Sequence, residues 1–415
     1  MTPSPVTWLI VSCFCVAAGR AAIVPVGELS PTVVLASEDN QSGNDTSGSN
    51  ETESNGSSTL KLVHVLFRHG PRTPVSTYPN DPYINETYQP YGWGALTNNA
   101  KVELYKIGKQ LRKRYKDFMA PYYVPDLLHA QSTTSPRTMM SLQMVLAGLF
   151  PPRNTPMEWN LMLDWQPIPV FAEPEETDIR LRMKVPCPRY DEAVLEVLNL
   201  PEVKMLHKQN ADLLEKLTEL TGLNVTYTHD VTNVFISLLA QENYGLKLPD
   251  WTKDYYPDKM LPLAAQSYLY DAYTPELRKL KGGFYLDHMY EQMQARANGN
   301  LEPSDRRMFL YCAHDWTVTN ILSALGVWQP QMPRFSALIA FELHKNDDTG
   351  EYFVEIYFQN DPEGEPEQLQ VPGCAKQCPL EKLLELSEHV LPDGSYEQLC
   401  RAKGTSNGER VAYHK

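Results

Sequence analysis

The hydrophobic pattern of the chain begins with a buried strand. Residues 62–67 read Leu-Val-His-Val-Leu-Phe, a nearly unbroken apolar run with two β-branched positions. Such a run is typical of a strand that is covered on both faces, as in parallel sheets. We predict two more strands, over residues 126–130 and 308–312. Residues 337–343 and 352–358 alternate between apolar and polar positions, which predicts a hairpin that completes the sheet.

Apolar residues at helical spacing predict helices around this sheet. Thr97 is a good N-cap for the first helix. Its apolar stripe consists of Leu104, Ile107, Leu111, Tyr115 and Phe118. Ser135 and Pro136 are typical of the N-cap and first residue of a second helix, which we expect to run to about Leu149. The helix after residues 308–312 has an apolar side of Val318, Ile321, Leu322 and Leu325.

Between residues 167 and 297 the pattern changes to helices with few strands. One predicted helical stripe contains Leu206, Leu213, Leu214, Leu217 and Leu220, and another contains Val231, Val234, Phe235, Leu238 and Leu239. We interpret residues 167–297 as an α-helical cap inserted between the two halves, 60–166 and 298–400, of an α/β core. The expected fold class is α/β, with a mixed, mostly parallel sheet flanked by helices.

Composition limits the class of partner. The chain has 415 residues, of which 42% are hydrophobic and 21% charged, as expected for a globular protein with a large core. Its formal net charge is −14. This charge argues against nucleic acid as a partner, because a polyanion requires a basic surface. Any anion site must therefore be a local positive pocket in an acidic molecule.

The N-terminal region indicates the secretory route. Residues 1–22 resemble a signal peptide with an apolar core and small residues for cleavage. A short membrane anchor is the alternative, but the run is short for a bilayer, and we expect no stable membrane insertion. Residues 23–59 read as a glycosylated, disordered linker or an unmodified spacer, and 401–415 as a flexible tail. Six Asn-x-Ser/Thr sequons are candidate glycosylation sites: Asn40, Asn44, Asn50, Asn55, Asn85 and Asn224.

The first strand leads directly into the segment 68–74, Arg-His-Gly-Pro-Arg-Thr-Pro. Arg68 and Arg72 thus bracket His69 at the carboxyl end of a strand, where ligands bind in open α/β sheets. Two guanidiniums around an imidazole indicate a phosphate site. Arg137 falls in the first turn of the second predicted helix, whose free N–H groups and dipole also attract an anion.

These residues carry a resemblance to a known family. Arg-His-Gly-x-Arg-x-Pro after an apolar strand, together with the distant pair His314-Asp315, resembles the signatures of the histidine acid phosphatases, and the likeness extends from about residue 60 to 400. It implies a phosphoglycerate-mutase-like core. It also implies that His69 is the nucleophile and Asp315 the general acid. The phosphate-binding residues implied are Arg68, Arg72, Arg137 and His314.

The sequence departs from the family pattern at four positions. Gln131 stands where an arginine is common, and Thr134 and Pro136 stand where aspartates are common. Trp316 replaces the threonine that often follows the acidic residue, and we expect its bulky ring to narrow or line the cleft. These departures bear on substrate preference rather than on phosphate binding.

The implied reaction makes opposite demands on the nucleophile and the acid. His69 must be uncharged to attack phosphorus, and the positive charges around it lower the proton affinity of its imidazole. Asp315 must hold a proton, and the negative charge of a bound phosphate raises its proton affinity. The expected activity is therefore highest below neutrality. We expect no metal or other cofactor.

Cysteine usage agrees with the secretory route. Cys13 and Cys15 lie in the predicted signal peptide, so five cysteines remain, which predicts two disulfides and one thiol. The resemblance implies that Cys374 pairs with Cys378 and Cys187 with Cys400, which leaves Cys312 free. The close pair Cys374 and Cys378 is also compatible with zinc, but the five remaining cysteines contain no second close pair, and an oxidising compartment favours a disulfide.

The predicted function is a secretory-pathway acid phosphatase, secreted or, alternatively, lysosomal. Its substrates would be small phosphate monoesters or phosphoproteins, and a homodimer is possible. Two alternatives remain. One is a phosphoglycerate-mutase-like transferase, which the signal peptide, sequons and disulfides disfavour. The other is a catalytically weak secreted binding protein that keeps the phosphatase fold.

Overall fold

The computed structural model describes residues 59–403. This part of the chain contains one sheet of seven strands. They are β1 (Leu60–Arg68), β2 (Leu128–Ser132), β3 (Met308–Ala313), β4 (Leu338–Lys345), β5 (Tyr352–Gln359), β6 (Glu367–Leu369) and β7 (Cys378–Pro379). Their order is β2-β3-β1-β4-β5-β6, and β7 also pairs with β5.

Twelve α-helices accompany the sheet within the described residues. Those of the two core segments are α1 (Asn98–Arg114), α2 (Pro136–Leu149), α10 (Asp315–Ala324), α11 (Leu380–Ser387) and α12 (Tyr396–Leu399). Those between them are α3 (Pro188–Leu198), α4 (Pro201–Gln209), α5 (Ala211–Thr221), α6 (Thr228–Tyr244), α7 (Leu261–Tyr270), α8 (Pro275–Arg278) and α9 (Phe284–Ala297). Short 3₁₀ turns occur at Pro125–Leu127, Asp250–Asp254 and Glu388–Val390, and a π-helical turn occurs at Lys279–Gly283. None of the helices described is long and apolar enough to cross a bilayer.

The mixed α/β class is confirmed, but the sheet is less parallel than predicted. Among the seven strands described, only β1 with β3 and β2 with β3 pair in parallel. The β1/β4, β4/β5, β5/β6 and β5/β7 pairs are antiparallel. The predicted hairpin is present as β4 and β5, and its short connection forces antiparallel pairing, whereas the parallel strands are joined through helices.

Strand β1 lies at the centre of the core, as its apolar run predicted. Every residue from Leu62 to Arg68 is buried. Alternate side chains enter two apolar clusters: Leu62 and Leu66 pack on the α9 and α10 side, and Val63 and Val65 pack on the α1 and α2 side. This arrangement follows from the alternation of side chains along a strand.

Two predicted elements differ in detail. The strand expected at 126–130 begins at Leu128, because Pro125 starts a 3₁₀ turn that occupies the preceding residues. The stripe expected on one helix is divided between α4, which holds Leu206, and α5, which holds the other leucines. Asn210 separates these helices and caps both.

The disulfides form as the resemblance implied. Cys187 bonds to Cys400, and Cys374 bonds to Cys378, while Cys312 is free and buried on β3. Sequons Asn85 and Asn224 are both exposed, as an acceptor of glycan requires. The predicted signal peptide, most of the linker with its four other sequons, and most of the tail lie outside the described residues.

Candidate active site

The parallel strands bring the predicted site residues to one edge of the sheet. Arg68 at the end of β1 pairs in register with Ala313 at the end of β3. The His69 N–H donates to the Ala313 carbonyl at 3.1 Å, and the Thr133 N–H donates to the Cys312 carbonyl at 3.3 Å. Three distant segments therefore meet at the carboxyl ends of adjacent parallel strands, where an α/β sheet opens into a cleft.

His69 is held as a neutral imidazole with a defined tautomer. Its Nδ1 lies 2.9 Å from the Gly70 carbonyl oxygen, and because a carbonyl only accepts, Nδ1 carries the hydrogen. Nε2 has no hydrogen-bond partner within residues 59–403 and is left with a free lone pair. Burial lowers the pKa of His69 well below its usual value, and the charges of Arg137, Arg68 and Arg72 and the neighbouring imidazole of His314 lower it further. The predicted uncharged state of His69 follows from these two causes.

Three arginines surround this imidazole with incomplete hydrogen bonding. Arg68 is fully buried, donates through Nη1 to the Pro333 carbonyl and lies over the Phe335 ring at 4.2 Å. Arg72 is also buried, and burial, followed by the charges of Arg137 and Arg68, lowers its pKa to about 9. The Nε atoms of Arg68, Arg72 and Arg137 are buried without a hydrogen-bond partner in the described structure. A bound oxyanion would accept hydrogen bonds from these unpaired N–H groups and would offset the repulsion between the neighbouring guanidinium charges.

His314 and Asp315 begin helix α10 on the other side of His69. The His314 ring lies 5.6 Å from the His69 ring, centroid to centroid, and its Nε2 is 3.1 Å from the Thr133 hydroxyl. The Trp316 ring stacks on His314 at 4.8 Å. Burial and the positive charge of Arg137 lower the pKa of His314 well below its usual value.

Asp315 is an ionised carboxylate in the ligand-free protein. Its Oδ2 lies 2.9 Å from Arg68 Nη2, and its Oδ1 accepts from the Trp316 N–H at 2.9 Å. Burial alone raises the pKa of Asp315. The Arg68 charge, the Trp316 N–H, the Arg72 charge and the neighbouring Tyr268 hydroxyl outweigh burial and lower this pKa below its usual value. An acid role for Asp315 therefore depends on a bound anion that restores its proton affinity.

These groups line a pocket of about 460 Å³. Five of the six predicted catalytic and phosphate-binding residues line its wall: His69, Arg72, Arg137, His314 and Asp315. Arg68 is buried behind them and reaches the site through Asp315. Val75 and Ser76 from the loop after the Arg-His-Gly motif form part of the wall, and so does Trp316, as expected.

Other pocket residues were not predicted from the sequence. Tyr268 on α7 lines the pocket near Asp315. Arg182, Lys184 and Lys281 add positive charge to the wall, and Asp271 adds a carboxylate. No local motif marks these side chains, because they reach the pocket only through the folding of residues 167–297 onto the sheet edge. Gln131, where the family pattern differs, bonds to His129 and Glu173 instead and does not line the pocket.

Comparison with known proteins identifies relatives of this chain. Residues 59–359 match the family described as "Histidine phosphatase superfamily (branch 2)". The human lysosomal acid phosphatase is 34% identical over 356 residues, covering 85% of this chain and 83% of that protein. The venom acid phosphatase of Apis mellifera is 35% identical over 346 residues, with 82% and 87% covered, and the prostatic acid phosphatase of Bos taurus is 35% identical over 356 residues, with 84% and 90% covered.

A solved structure shares the fold at much lower sequence identity. The structure of a Hafnia alvei phytase in complex with tartrate is similar with a TM-score of 0.61 at 16% identity, covering 83% of this chain and 99% of that one. At this identity the likeness concerns the fold alone.

Proposed function

We propose a mechanism and substrate chemistry for this chain, which belongs to branch 2 of the histidine phosphatase superfamily and is an acid phosphatase, a phosphoric monoester hydrolase. In the proposed reaction the phosphate monoester binds between Arg68, Arg72, Arg137 and His314. The fixed positive charges of the three arginines, together with the unpaired donors of the site, offset the charge of the phosphoryl oxygens. No step uses a metal ion.

The first chemical step transfers the phosphoryl group to His69. The free lone pair of Nε2 attacks phosphorus, the P–N bond forms, and the P–O bond to the leaving alcohol breaks. The observation that carries this assignment is the His69 ring, uncharged, with Nδ1–H bonded to Gly70 and Nε2 free among three guanidiniums. The Gly70 carbonyl stabilises the positive charge that develops on the ring.

Asp315 serves as the proton donor and then as the base. The bound phosphate places negative charge next to its carboxylate and partly neutralises Arg68, so Asp315 takes up a proton at acidic pH and gives it to the leaving oxygen. The resulting carboxylate then accepts a proton from the attacking water, the new P–O bond forms, and the P–N bond to His69 breaks. Inorganic phosphate leaves and His69 is free again.

The test is direct detection of the intermediate. A radiolabelled phosphate monoester is mixed with the enzyme and quenched in base, where phosphohistidine survives, and the labelled peptide is mapped. We expect the label on the peptide that contains His69. The His69→Ala variant should lose at least about a thousandfold in kcat, whereas His389→Ala, at an exposed site outside the pocket, should retain it. Label on any other side chain would contradict the proposal.

We also propose residues 167–297 as a cap that shapes specificity, since α6 and α7 contribute Thr232 and Tyr268 to the pocket.

Three observations support a location in the secretory pathway. They are the predicted signal peptide, the two disulfides, and the similarity to lysosomal, prostatic and venom acid phosphatases. We propose that the chain is secreted, with the lysosome as the alternative. Expression in a secretory cell should deliver active, glycosidase-sensitive protein to the medium, whereas retention in an acidic organelle would favour the alternative.

A further inference from the structure

The wall of the pocket beside Asp315 contains positive charge that the proposed reaction does not use. We infer that Arg182, Lys184 and Trp316, here called the Trp316 wall, form a second anion-binding subsite. This inference rests on the proposed phosphatase function and adds a substrate class to it. The preferred substrates are phosphate monoesters that carry a second acidic group, a phosphate or a carboxylate, a few bonds from the phosphate that is removed.

Trp316 connects the phosphate site to this second site. His314 stacks on the Trp316 ring at 4.8 Å, and the Lys184 ammonium lies 4.2 Å from the centroid of that ring. The Arg182 guanidinium lies 5.5 Å from it. The charges of Arg182 and Lys184 also contribute to the lowered pKa of His314, in keeping with these short distances. A substrate held at His69 can therefore extend toward both cations within the same pocket.

Lys184 and Arg182 each have hydrogen-bond donors that no other group of the described structure uses. Lys184 is exposed at the wall, and its Nζ has no hydrogen bond or salt bridge within residues 59–403. Arg182 Nη1 is buried without a hydrogen-bond partner in the same region. The other side of the Arg182 guanidinium is occupied by Glu175, whose Oε1 lies 2.7 Å from Nη2. An arginine with one edge paired to a carboxylate and an N–H donor left unpaired can still donate to an incoming oxyanion.

The backbone holds the Trp316 wall in place. The Trp316 indole N–H donates to the Arg182 carbonyl at 3.1 Å, and the Thr317 hydroxyl donates to the Leu181 carbonyl at 2.8 Å. Lys281 Nζ donates to the Met183 carbonyl at 2.7 Å. Met183 has a φ of +53°, a left-handed conformation that is unfavourable for a side chain of this kind. These bonds maintain an unusual turn at Met183, and the two cationic residues that flank it, Arg182 and Lys184, both line the pocket.

The nearby carboxylates neutralise only part of the positive charge of this wall. Asp315 pairs with Arg68, and Glu175 pairs with Arg182. Asp271 also lines the pocket, but burial raises its pKa, which reduces its negative charge at acidic pH. Lys184 forms no salt bridge with any of them in the described structure. A local positive pocket thus exists in a molecule whose net charge is −14.

The test compares substrates that differ only in the second acidic group. The substrates are monophosphates of linear diols from ethanediol to hexanediol, each paired with its bisphosphate and with the matching phosphorylated hydroxy acid. We expect kcat/KM for the best bisphosphate to exceed that of its monophosphate by about fivefold or more after the statistical factor of two, as one to two charge contacts predict. This advantage should shrink at high salt. The hydroxy-acid arm shows whether the subsite accepts a carboxylate as well.

Variants then assign the advantage to the Trp316 wall. Lys184→Gln and Arg182→Gln should each reduce the ratio of bisphosphate to monophosphate kcat/KM by about threefold to fivefold. The ratio removes any effect that a variant has on both substrates. Lys259→Gln is the matched control, because Lys259 also lies over an aromatic ring, Tyr255 at 5.0 Å, but outside the pocket. Its ratio should not change.

The outcomes separate this inference from the proposed function. Equal kcat/KM for monophosphates and bisphosphates at every length, or an advantage that survives both variants, would overturn the second subsite while leaving the phosphatase intact. Absence of turnover with all substrates, including p-nitrophenyl phosphate, would instead refute the proposed function.

Discussion

His64 makes the stability of this enzyme sensitive to the acidic pH at which we expect it to work. Its side chain is fully buried in β1, neither ring nitrogen has a hydrogen-bond partner within the described residues, and the ring stacks on Phe309 at 4.7 Å. Burial, with smaller contributions from His288 and His129, lowers the pKa of His64 to about 3. The native protein therefore keeps this imidazole neutral, whereas in the unfolded chain it takes up a proton below about pH 6.5.

The sign of the effect follows from proton linkage. Below pH 6.5 the unfolded chain binds more protons at this position than the native protein, so the free energy of unfolding falls as the pH falls toward 3. A pKa difference of this size costs about 2–3 kcal/mol at about pH 4.5 and almost nothing at pH 7. Replacing His64 by an apolar ring of similar shape should remove this loss.

The assay is urea unfolding of wild type and His64→Phe at about pH 7 and about pH 4.5. We expect the variant to lose about 2–3 kcal/mol less than the wild type between the two pH values. Any packing cost of the larger ring appears at both values and cancels in the difference. His64→Leu provides a second variant, and His389→Leu, at an exposed position, is the control. Equal pH dependence in wild type and both His64 variants would refute the reasoning.

Three further predictions concern the site and the disulfide. Tyr268→Phe removes the hydroxyl that helps to lower the pKa of Asp315, so this pKa should rise and the alkaline limb of the kcat profile should move to higher pH. Ser267→Ala, in the same pocket, should leave the limb in place, and movement of the Tyr268→Phe limb to lower pH would contradict this prediction. Asp315→Asn should slow alkyl phosphates at least about tenfold more than p-nitrophenyl phosphate, because only a poor leaving group needs the proton; equal losses would argue against the acid role. Replacing Cys187 and Cys400 by serine removes a crosslink between residues 213 positions apart. The free energy of unfolding, measured by urea titration, should fall by up to about 5 kcal/mol. An unchanged urea midpoint would show that the crosslink adds no stability.

The local elements could be predicted because their causes are local. The apolar run of β1, the Thr97 N-cap, and Pro136 at the start of α2 are visible in a few consecutive residues, and all three are present in the structure. The residues of the proposed reaction were identified for a similar reason. The Arg-His-Gly motif and the His314-Asp315 pair each follow a recognisable buried strand, and parallel strands end at the same edge of a sheet.

The sequence by itself thus determined the fold class, the family and the residues at the sheet edge. Through the family resemblance it also indicated the cysteine pairing. Tertiary structure alone decided the mixed pairing of the strands, the ionised state of Asp315 and the side chains that complete the pocket. Tyr268, Arg182 and Lys184 lie in segments without a distinctive pattern, and they meet Asp315 and Trp316 only after the helical segment folds over the strand ends. The pKa of Asp315 and the composition of the pocket depend on which distant residues come into contact and on how far folding excludes water from them. Neither can be read from a linear sequence.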